Sequence, residues 1–210
     1  MNTINLLKNY NIVEIFSSLQ GEGFNSGMPT TFIRFGRCNL ACPWCDTDYN
    51  TYKSVSLSFI IEKVKEFGNP NIILTGGEPT IQKGFKDIVD ILKSMGYFVA
   101  VETNGLKKVY EKVDYVATSP KRIYFDKYKD KCISKASEIR VVCDGSADEV
   151  IEFCLFLEGK ITAENYFLSP CEVDDSFNML DTLKTLYKLN QVSSFKWYLS
   201  IQSHKIAGIE

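Results

Sequence analysis

The amino-acid sequence predicts an α/β fold, an incomplete (partial) TIM-like (β/α) barrel with a parallel sheet inside and helices outside. Apolar, β-branched segments alternate along the chain with segments of helical periodicity, which is typical of parallel sheets. The 210 residues contain too few such units for a complete eight-stranded barrel, which typically takes about 250 residues. Three polar motifs, GGEP, ETNG and SPK, each follow a predicted strand directly, as active-site residues do in barrels.

The first half of the chain begins with two predicted strands. Residues 11–19 and 30–35 are rich in β-branched and aromatic side chains, which favours strands. Apolar residues recur at helical spacing over residues 56–67, and Gly68 with Pro70 ends this predicted helix. A short apolar strand then leads into GGEP, and an amphipathic helix and another strand follow, so these elements are expected at residues 71–75, 85–95 and 97–102.

The same alternation continues to the end of the chain. Short apolar segments predict four more strands, at residues 113–118, 138–143, 166–169 and 195–201. Helical spacing of apolar residues predicts two more helices, over residues 146–157 and 177–189.

The composition is that of an ordinary globular protein. Hydrophobic residues make up 45% and charged residues 24%, and the length suits one domain over residues 1–210. The net charge of −2 provides no basic field for nucleic acid, and no run of ~18 apolar residues predicts a membrane span. Without a signal-peptide pattern the protein is expected in the cytoplasm, where thiols stay reduced. Most of the four scattered cysteines are then expected to be small buried hydrophobes: Cys132, Cys143, Cys154 and Cys171.

Three further cysteines, Cys38, Cys42 and Cys45, lie close together in the run CNLACPWC. Cubane iron–sulfur clusters normally take four thiolates, so a loop with three leaves one iron open for chemistry. A zinc site would need a fourth ligand nearby, but none follows, and the only histidine, His204, is distant in sequence. Disulfide pairing is disfavoured because the number of cysteines, seven, is odd. The C-x3-C-x2-C spacing resembles the radical S-adenosylmethionine (SAM) superfamily, in which the open iron chelates SAM.

Each polar motif at a strand end has a structural interpretation beside the functional one. Adjacent Gly76 and Gly77 let the backbone approach a ligand such as SAM, but tight turns also use such pairs. Glu78 could cap the helix that follows. ETNG ends in Asn-Gly, which is a common turn signal. Ser119 and Lys121 of SPK could hold SAM or belong to a solvated loop.

Other polar residues suggest a substrate and a cation. The run EIFSSLQGEG, residues 14–23, ends between glycines whose amides could recognise a flat heterocycle, unless it is only a hairpin loop. Arg34 alternates with apolar neighbours and so points to the opposite face, where its guanidinium would match a carboxylate. Asp46 and Thr47 offer oxygens to Mg²⁺ or, alternatively, cap a turn. Beyond the last strand lie three more candidate polar residues, Gln202, His204 and Lys205.

Together, SLQGEG, RFGRCNLACPWCDTD, TGGEP, ETNG, SPK and LSIQSHK resemble the 7-carboxy-7-deazaguanine synthase family of the queuosine and deazapurine pathway. The match covers nearly the whole chain, and LQGEG, CDT and the QSHK ending are its more discriminating parts. The resemblance implies a compact radical SAM barrel, usually a homodimer. It implies conversion of 6-carboxy-5,6,7,8-tetrahydropterin to 7-carboxy-7-deazaguanine with loss of ammonia. A 5′-deoxyadenosyl radical would start the ring contraction by taking hydrogen from C6.

The resemblance also implies roles for individual residues, although it assigns the chemical step to the cofactor and to no side chain. The [4Fe–4S] cluster would be held by Cys38, Cys42 and Cys45, and Mg²⁺ by the Thr47 hydroxyl. A flavodoxin or ferredoxin would supply the electron. SAM would contact Trp44, Cys45, Asp46, Gly77, Ser119, Pro120 and Lys121. The pterin would contact Leu19, Gln20, Gly21, Arg34, Thr75 and the terminal carboxylate of Glu210.

Two stretches depart from the family pattern. Many members have Arg at the position of Tyr198. Members often carry Gln-Pro-x-Asp near the penultimate strand, where this chain has a different run that is expected at the same SAM-contacting position: Ser169, Pro170, Cys171 and Glu172.

Three other interpretations of the motifs stay open. A radical SAM activase shares the cysteine spacing but has no use for LQGEG or QSHK. An iron–sulfur electron carrier has no use for GGEP, ETNG and SPK at successive strand ends. RNA binding through residues 121–131 is the third, but the lysines and arginine there alternate with acids and tyrosines, as in a solvated loop.

Overall fold

The computed structural model of the protein describes residues 5–173 and 176–209. The strands are β1 (Asn9–Leu19), β2 (Pro29–Phe35), β3 (Lys53–Ser56), β4 (Asn71–Gly76), β5 (Phe98–Thr103), β6 (Tyr115–Thr118), β7 (Glu138–Cys143), β8 (Asn165–Pro170), β9 (Glu172–Val173), β10 (Ser176–Phe177) and β11 (Trp197–Leu199). The α-helices are α1 (Leu57–Phe67), α2 (Phe85–Ser94), α3 (Phe125–Asp130), α4 (Ala147–Glu158), α5 (Met179–Val192) and α6 (Ser203–Ala207). None of these helices is long and apolar enough to cross a membrane.

In the described residues, nine strands form one sheet in the order β11-β8-β7-β6-β5-β4-β2-β1-β3. Every neighbouring pair from β2 to β11 is parallel. Strand β1 pairs antiparallel with both β2 and β3, so the sheet begins with an antiparallel extension. The order has two free ends, and the predicted incomplete barrel is confirmed.

Side chains alternate between the two faces of the parallel strands. Apolar residues on the outer face pack against the helices in two cores, one with α1 and α2 and one with α3, α4 and α5. Ile33 and Phe35 of β2, for example, are fully buried in the first core. Arg34 between them lies on the inner face, as the alternation predicts, and lines a cleft. The inner face therefore carries the polar residues.

Helix ends follow the capping rules. The Ser56 side chain accepts a hydrogen bond from the Phe59 amide at the start of α1, and Gly68 ends that helix at a φ of 67°. Ser146 and Glu149 form a capping box at the start of α4. The two serines with which the predicted helices begin are thus caps, one residue before the first helical position.

The main differences from the sequence prediction are short elements. Strand β3, the β9–β10 hairpin, α3 and α6 were not predicted, because segments of two to six residues show no clear period. The start of α5 was wrong: the helix begins at Met179, and Phe177 belongs to β10. The Asn178 side chain explains this, since it accepts from the Cys171 amide at 2.7 Å and donates to the Cys143 carbonyl at 2.8 Å. These bonds hold Asn178 in a turn.

Candidate active site

A cleft of about 710 Å³ lies at the carboxyl ends of the parallel strands. Its walls are the loops that follow β1, β2, β4, β5, β6 and β8, together with α6. A volume of this size is typical of small-molecule sites. With two exceptions, Pro120 and Glu210, the candidate cofactor, substrate and metal residues named above line this one cleft. Pro120 is buried beside it, and Glu210 lies outside the described residues.

The three clustered cysteines face the cleft from the loop after β2. Cys45 is exposed, and Cys38 and Cys42 are partly buried. Burial raises the pKa of the Cys38 and Cys42 thiols, and the positive charge of Lys121 opposes the rise at Cys42. Within residues 5–173 and 176–209, no three His, Cys, Asp or Glu side chains stand close enough to hold a single metal ion. The three thiols do interact electrostatically with one another, so they lie near enough to be offered together to a larger iron–sulfur cluster.

The GGEP segment packs against the start of this cysteine loop. A Cβ at Gly77 would overlap with the Arg37 carbonyl. The Gly77 amide donates to the Phe35 carbonyl and the Glu78 amide to the Arg37 carbonyl, each at 2.9 Å. The glycine pair was expected to let a ligand approach closely. At Gly77, it is the neighbouring backbone at Arg37 that lies this close. Glycine here sets the position of the cysteines.

Glu78 is fully buried and joins GGEP to ETNG. One carboxylate oxygen accepts from the amide and hydroxyl of Thr80, at 3.0 and 2.6 Å, so the predicted capping role is confirmed for the 3-10 turn Pro79–Ile81. The same oxygen accepts from the Thr103 hydroxyl at 2.8 Å, and the other accepts from the Asn104 amide at 2.7 Å. The sequence did not reveal this second role.

Residues of ETNG and SPK continue the support of the cysteine loop. Asn104 donates through Nδ2 to the Asn39 side-chain oxygen at 2.7 Å, next to Cys38. Lys121 Nζ donates to the Ser119 hydroxyl at 2.8 Å and lies 5.0 Å from the centre of the Trp44 ring. The Trp44 indole Nε1 is buried and has no hydrogen-bond partner within the described part of the chain. This side of the cleft therefore has an aromatic ring, an ammonium and an unpaired donor together.

Arg34 connects the strands to the residues after the last cysteine. Its Nε donates to Glu14 Oε1 at 2.7 Å, and its Nη1 to the Thr47 hydroxyl at 3.3 Å. The guanidinium also lies 5.3 Å above the Phe16 ring. Thr47, the candidate Mg²⁺ ligand, is therefore in hydrogen-bond contact with the candidate carboxylate-binding arginine.

The QGEG loop after β1 forms another wall of the cleft. Leu19, Gln20 and Gly21 line it, and Gln20 Nε2 donates to Glu102 Oε1 at 3.0 Å. The space of a Cβ at Gly21 is filled by the His204 imidazole. Glycine is therefore required at this position for helix α6 to pack on the loop.

Helix α6 is tied to two other walls by Lys205. Its Nζ lies 2.6 Å from Oε2 of Glu172, the first residue of β9, and 3.1 Å from Asp46 Oδ2 in the cysteine loop. Gln202 Nε2 also donates to Asp46, at 3.5 Å. Lys205 and its hydrogen bonds outweigh the effect of burial and lower the pKa of Asp46. The predicted polar group after the last strand thus closes one side of the cleft.

The two departures from the family pattern lie in different places. Ser169, Pro170, Cys171 and Glu172 line the cleft, and the buried Ser169 hydroxyl has no hydrogen-bond partner in the described residues. Tyr198 does not line the cleft; it is 51% exposed on β11 and packs on Phe167 at 6.2 Å between ring centres. The change at Tyr198 therefore leaves the cleft wall untouched.

Sequence reasoning missed a buried charge cluster on the inner face. Arg140 of β7 lies between Glu22, Glu102 and Glu138, at 2.6 to 2.7 Å from each carboxylate. Burial opposes ionisation of Glu102, but Arg140 and hydrogen bonds from Thr75 and Gln20 outweigh it and lower the pKa of Glu102 to about 2. The signal was present, since Arg140 alternates with the apolar Ile139 and Val141 in a strand otherwise buried on both faces.

Comparison with known proteins agrees with this site. Residues 32–126 match the radical SAM superfamily. The chain is 55% identical to the 7-carboxy-7-deazaguanine synthase of Haemophilus influenzae, covering 96% of this chain and 95% of the relative. It is 52% identical to the enzyme of that name from Neisseria meningitidis serogroup B, covering 96% and 94%.

A solved structure shares the fold. The crystal structure of QueE from Escherichia coli aligns with a TM-score of 0.67 and 24% sequence identity, covering 93% of this chain and 95% of that one. The fold agrees with this match, and the sequence relatives, similar from end to end, identify the chain as a member of the 7-carboxy-7-deazaguanine synthase family of radical SAM enzymes.

Proposed function

We propose that the protein converts 6-carboxy-5,6,7,8-tetrahydropterin to 7-carboxy-7-deazaguanine with loss of ammonia. The observation that carries the proposal is that the cysteine loop and the QGEG loop, which are separate in sequence, line one cleft. The cleft is large enough for a heterocycle beside a nucleoside cofactor. The relatives that bear the name of this product support the same activity.

We assign the [4Fe–4S] cluster to Cys38, Cys42 and Cys45. SAM would lie next to it, against the cleft residues at 44–46, 77, 119–121 and 169–172. The Trp44 ring, its unpaired Nε1 and the Lys121 ammonium suit a cofactor with an aromatic base and polar groups. When bound at these residues, the cluster and SAM would supply the radical chemistry that activates C6 of the substrate.

The side chains of the protein would orient the pterin rather than react with it. Leu19, Gln20, Gly21 and Thr75 would contact the ring system, and the Arg34 guanidinium would bind the substrate carboxylate as a fork. Glu210 was predicted to add its terminal carboxylate. Holding C6 near the radical carbon and excluding water is the contribution that such contacts make to catalysis.

Mg²⁺ is proposed as a third cofactor, with the Thr47 hydroxyl as its protein ligand. Mg²⁺ usually keeps several waters and few protein ligands. Asp46, the neighbouring carboxylate, is paired with Lys205 through Oδ2 at 3.1 Å. The substrate carboxylate beside Arg34 would then complete the coordination.

We further propose a flavodoxin- or ferredoxin-type reductant, a homodimer and a cytoplasmic location. Next to the cysteine loop, the Tyr124 hydroxyl accepts from the Ala41 amide at 3.0 Å, and Lys127 lies 4.7 Å from the Tyr124 ring, so one positive charge is near the loop that would receive the electron. All seven cysteines are free thiols, which suits a reducing compartment. Sedimentation of the purified protein would test the dimer.

The activity test is anaerobic turnover with reconstituted protein, SAM, dithionite, Mg²⁺ and 6-carboxytetrahydropterin, read by mass spectrometry. We expect 7-carboxy-7-deazaguanine from the wild type and none from Cys42→Ala. Thr47→Val should need more Mg²⁺ than the wild type for the same rate, whereas Thr51→Val, a matched change outside the cleft, should not.

Two results would contradict the proposal. Slow formation of 5′-deoxyadenosine without product would keep the superfamily and exclude this substrate. Absence of any SAM cleavage, from protein with a verified cluster, would favour an electron carrier.

A further inference from the structure

The buried charge cluster on the inner face of the sheet has a single guanidinium surrounded by three carboxylates. Arg140 has a side chain only 7% exposed. Its Nη1 lies 2.6 Å from Glu22, its Nη2 lies 2.7 Å from Glu102, and its Nε lies 2.7 Å from Glu138. Burial works against the charge of Arg140, but the three carboxylates together raise its pKa. The arginine therefore stays charged among three carboxylates.

The carboxylates come from separate parts of the fold, and each holds further groups. Glu22 is in the QGEG loop, Glu102 is the penultimate residue of β5 and Glu138 begins β7. Glu102 accepts from Gln20 Nε2 at 3.0 Å and from the Thr75 hydroxyl at 2.7 Å. These two donors are among the candidate pterin contacts. Through Glu102, Arg140 therefore sets the direction of two candidate substrate-binding side chains.

The same cluster fixes the backbone of the QGEG loop. The Glu22 amide donates to Gln20 Oε1 at 3.0 Å, so Gln20 is held at both ends of its side-chain amide. Glu138 Oε2 accepts from the Phe24 amide at 2.9 Å and from the Tyr115 hydroxyl at 2.7 Å. A Cβ at Gly23 would overlap with the Glu138 carboxylate. Both ends of the loop are thus hydrogen-bonded, through Gln20 and Phe24, to carboxylates that are paired with Arg140.

We propose that Arg140 is the positioning residue of the substrate side of the cleft, which aligns Gln20, Thr75 and the QGEG loop for pterin binding without reacting itself. The inference rests on the proposed function, because it assigns those residues to the pterin. Replacing a whole buried ion-pair cluster by apolar residues often costs no stability, although removing one partner does, so this cluster is better explained by the geometry that it imposes. Without the guanidinium, Glu102 would lose the positive charge that favours its ionisation, beside the buried Glu138 and the partly buried Glu22. A protonated Glu102 would lose an acceptor position, and Gln20 and Thr75 would turn away.

The proposal predicts an effect on the pterin that spares SAM. Within the described part of the chain, no hydrogen bond or ion pair joins Arg140 or its three carboxylates to Lys121 or to the cysteine loop. We expect Arg140→Met to raise the KM and Kd for 6-carboxytetrahydropterin roughly ten- to hundredfold, the range for losing hydrogen bonds to charged groups. The Kd for SAM and the rate of 5′-deoxyadenosine formation without substrate should stay at the wild-type values. Arg140→Lys, which keeps the charge but not the fork, should recover part of the pterin affinity.

The experiment measures both affinities by anaerobic calorimetry and both rates with dithionite. Lys112→Met is the control, since it removes the exposed pair with Asp90 at 2.6 Å, away from the cleft. If Arg140→Met does not fold, Arg140→Lys and Glu102→Gln, which keeps the shape but not the charge, carry the same comparison. Equal loss of SAM and pterin affinity, or unchanged pterin affinity, would overturn the proposal. Wild-type protein that forms no product would instead overturn the proposed function.

Discussion

At Gly77 the backbone of the GGEP segment lies so close to the cysteine loop that the Arg37 carbonyl occupies the space of a Cβ. Backbone hydrogen bonds on either side of this contact, from Gly77 to Phe35 and from Glu78 to Arg37, are each 2.9 Å long. Since Arg37 directly precedes Cys38, any displacement of this carbonyl moves the first cysteine. The glycine therefore controls the geometry of the thiols from outside their loop.

Substitution of Gly77 tests this control. We expect Gly77→Ala to lower the iron bound per chain after reconstitution, because the added methyl group pushes the cysteine loop away. The measurement is iron content with the visible absorbance of the cluster. Gly159→Ala is the control, since a Cβ there meets its nearest neighbour at an ordinary contact of 3.5 Å and the φ is −79°. Full cluster loading in Gly77→Ala would contradict this role.

At the scale of elements, α6 depends on its side-chain contacts. A helix of five residues is not stable by itself in water. Its Ser203 hydroxyl donates to the Gly21 carbonyl at 2.9 Å, and Lys205 is paired with Glu172 and Asp46. These contacts join the QGEG loop, the β9–β10 hairpin and the cysteine loop. The helix therefore connects three walls of the cleft at its opening.

Removal of the Lys205 ammonium should weaken the attachment of α6 to the cleft walls without unfolding the chain. In Lys205→Met we expect amide hydrogen exchange of α6 to become several-fold faster, because partly exposed ion pairs contribute about 1 kcal/mol. The melting temperature should change little. Lys184→Met, which removes an exposed pair with Asp181 at 3.2 Å on α5, should leave α6 as it is. Unchanged exchange in α6 would show that its other contacts suffice.

Which elements could be predicted follows from their length and period. The long strands and helices were found because alternation and helical spacing are local properties of the sequence. Helix α3 and strand β3 were missed because tertiary contacts stabilise them: Tyr128 of α3 is fully buried, and β3 pairs with the start of β1. The error at the start of α5 had the same origin, in the long-range bonds of Asn178.

For the whole molecule, the location of the site was predictable, but the hydrogen bonds and ion pairs that connect its residues were not. Parallel strands put every loop after a strand at one end of the sheet, so GGEP, ETNG and SPK had to meet. The hydrogen bonds from the Asn104 amide to Glu78 and from Arg140 to Glu22 join residues that are 26 and 118 positions apart. No local pattern encodes such pairs, although a charged residue inside an apolar strand marks where to look.

The charge cluster gives the whole fold a pH dependence. The pKa of Glu102 is about 2 in the folded chain, below its ordinary value of 4.5, so the unfolded chain binds more protons between these values. Its contribution to stability, up to about 3 kcal/mol, is therefore complete above about pH 4.5 and lost as the pH falls toward about 2. Urea unfolding of protein without its iron–sulfur cluster, repeated at decreasing pH, would measure this contribution of Glu102.

The variant Glu102→Gln provides the control for this acid dependence. Its stability should be lower than that of the wild type at neutral pH, and the difference should shrink as the solution becomes acidic. A constant difference would mean that Glu102 is not charged in the folded chain.

The cysteine loop has one more consequence, for the order in which the holoprotein is made. The groups that fix the loop, at Gly77, Asn104 and Tyr124, become neighbours of Cys38 and Ala41 only when the sheet has assembled. Zinc-finger peptides behave in the opposite way, because the metal folds them. Here iron and sulfide would be inserted into a finished scaffold, so chain stripped of its cluster by air should accept a new one without first being denatured.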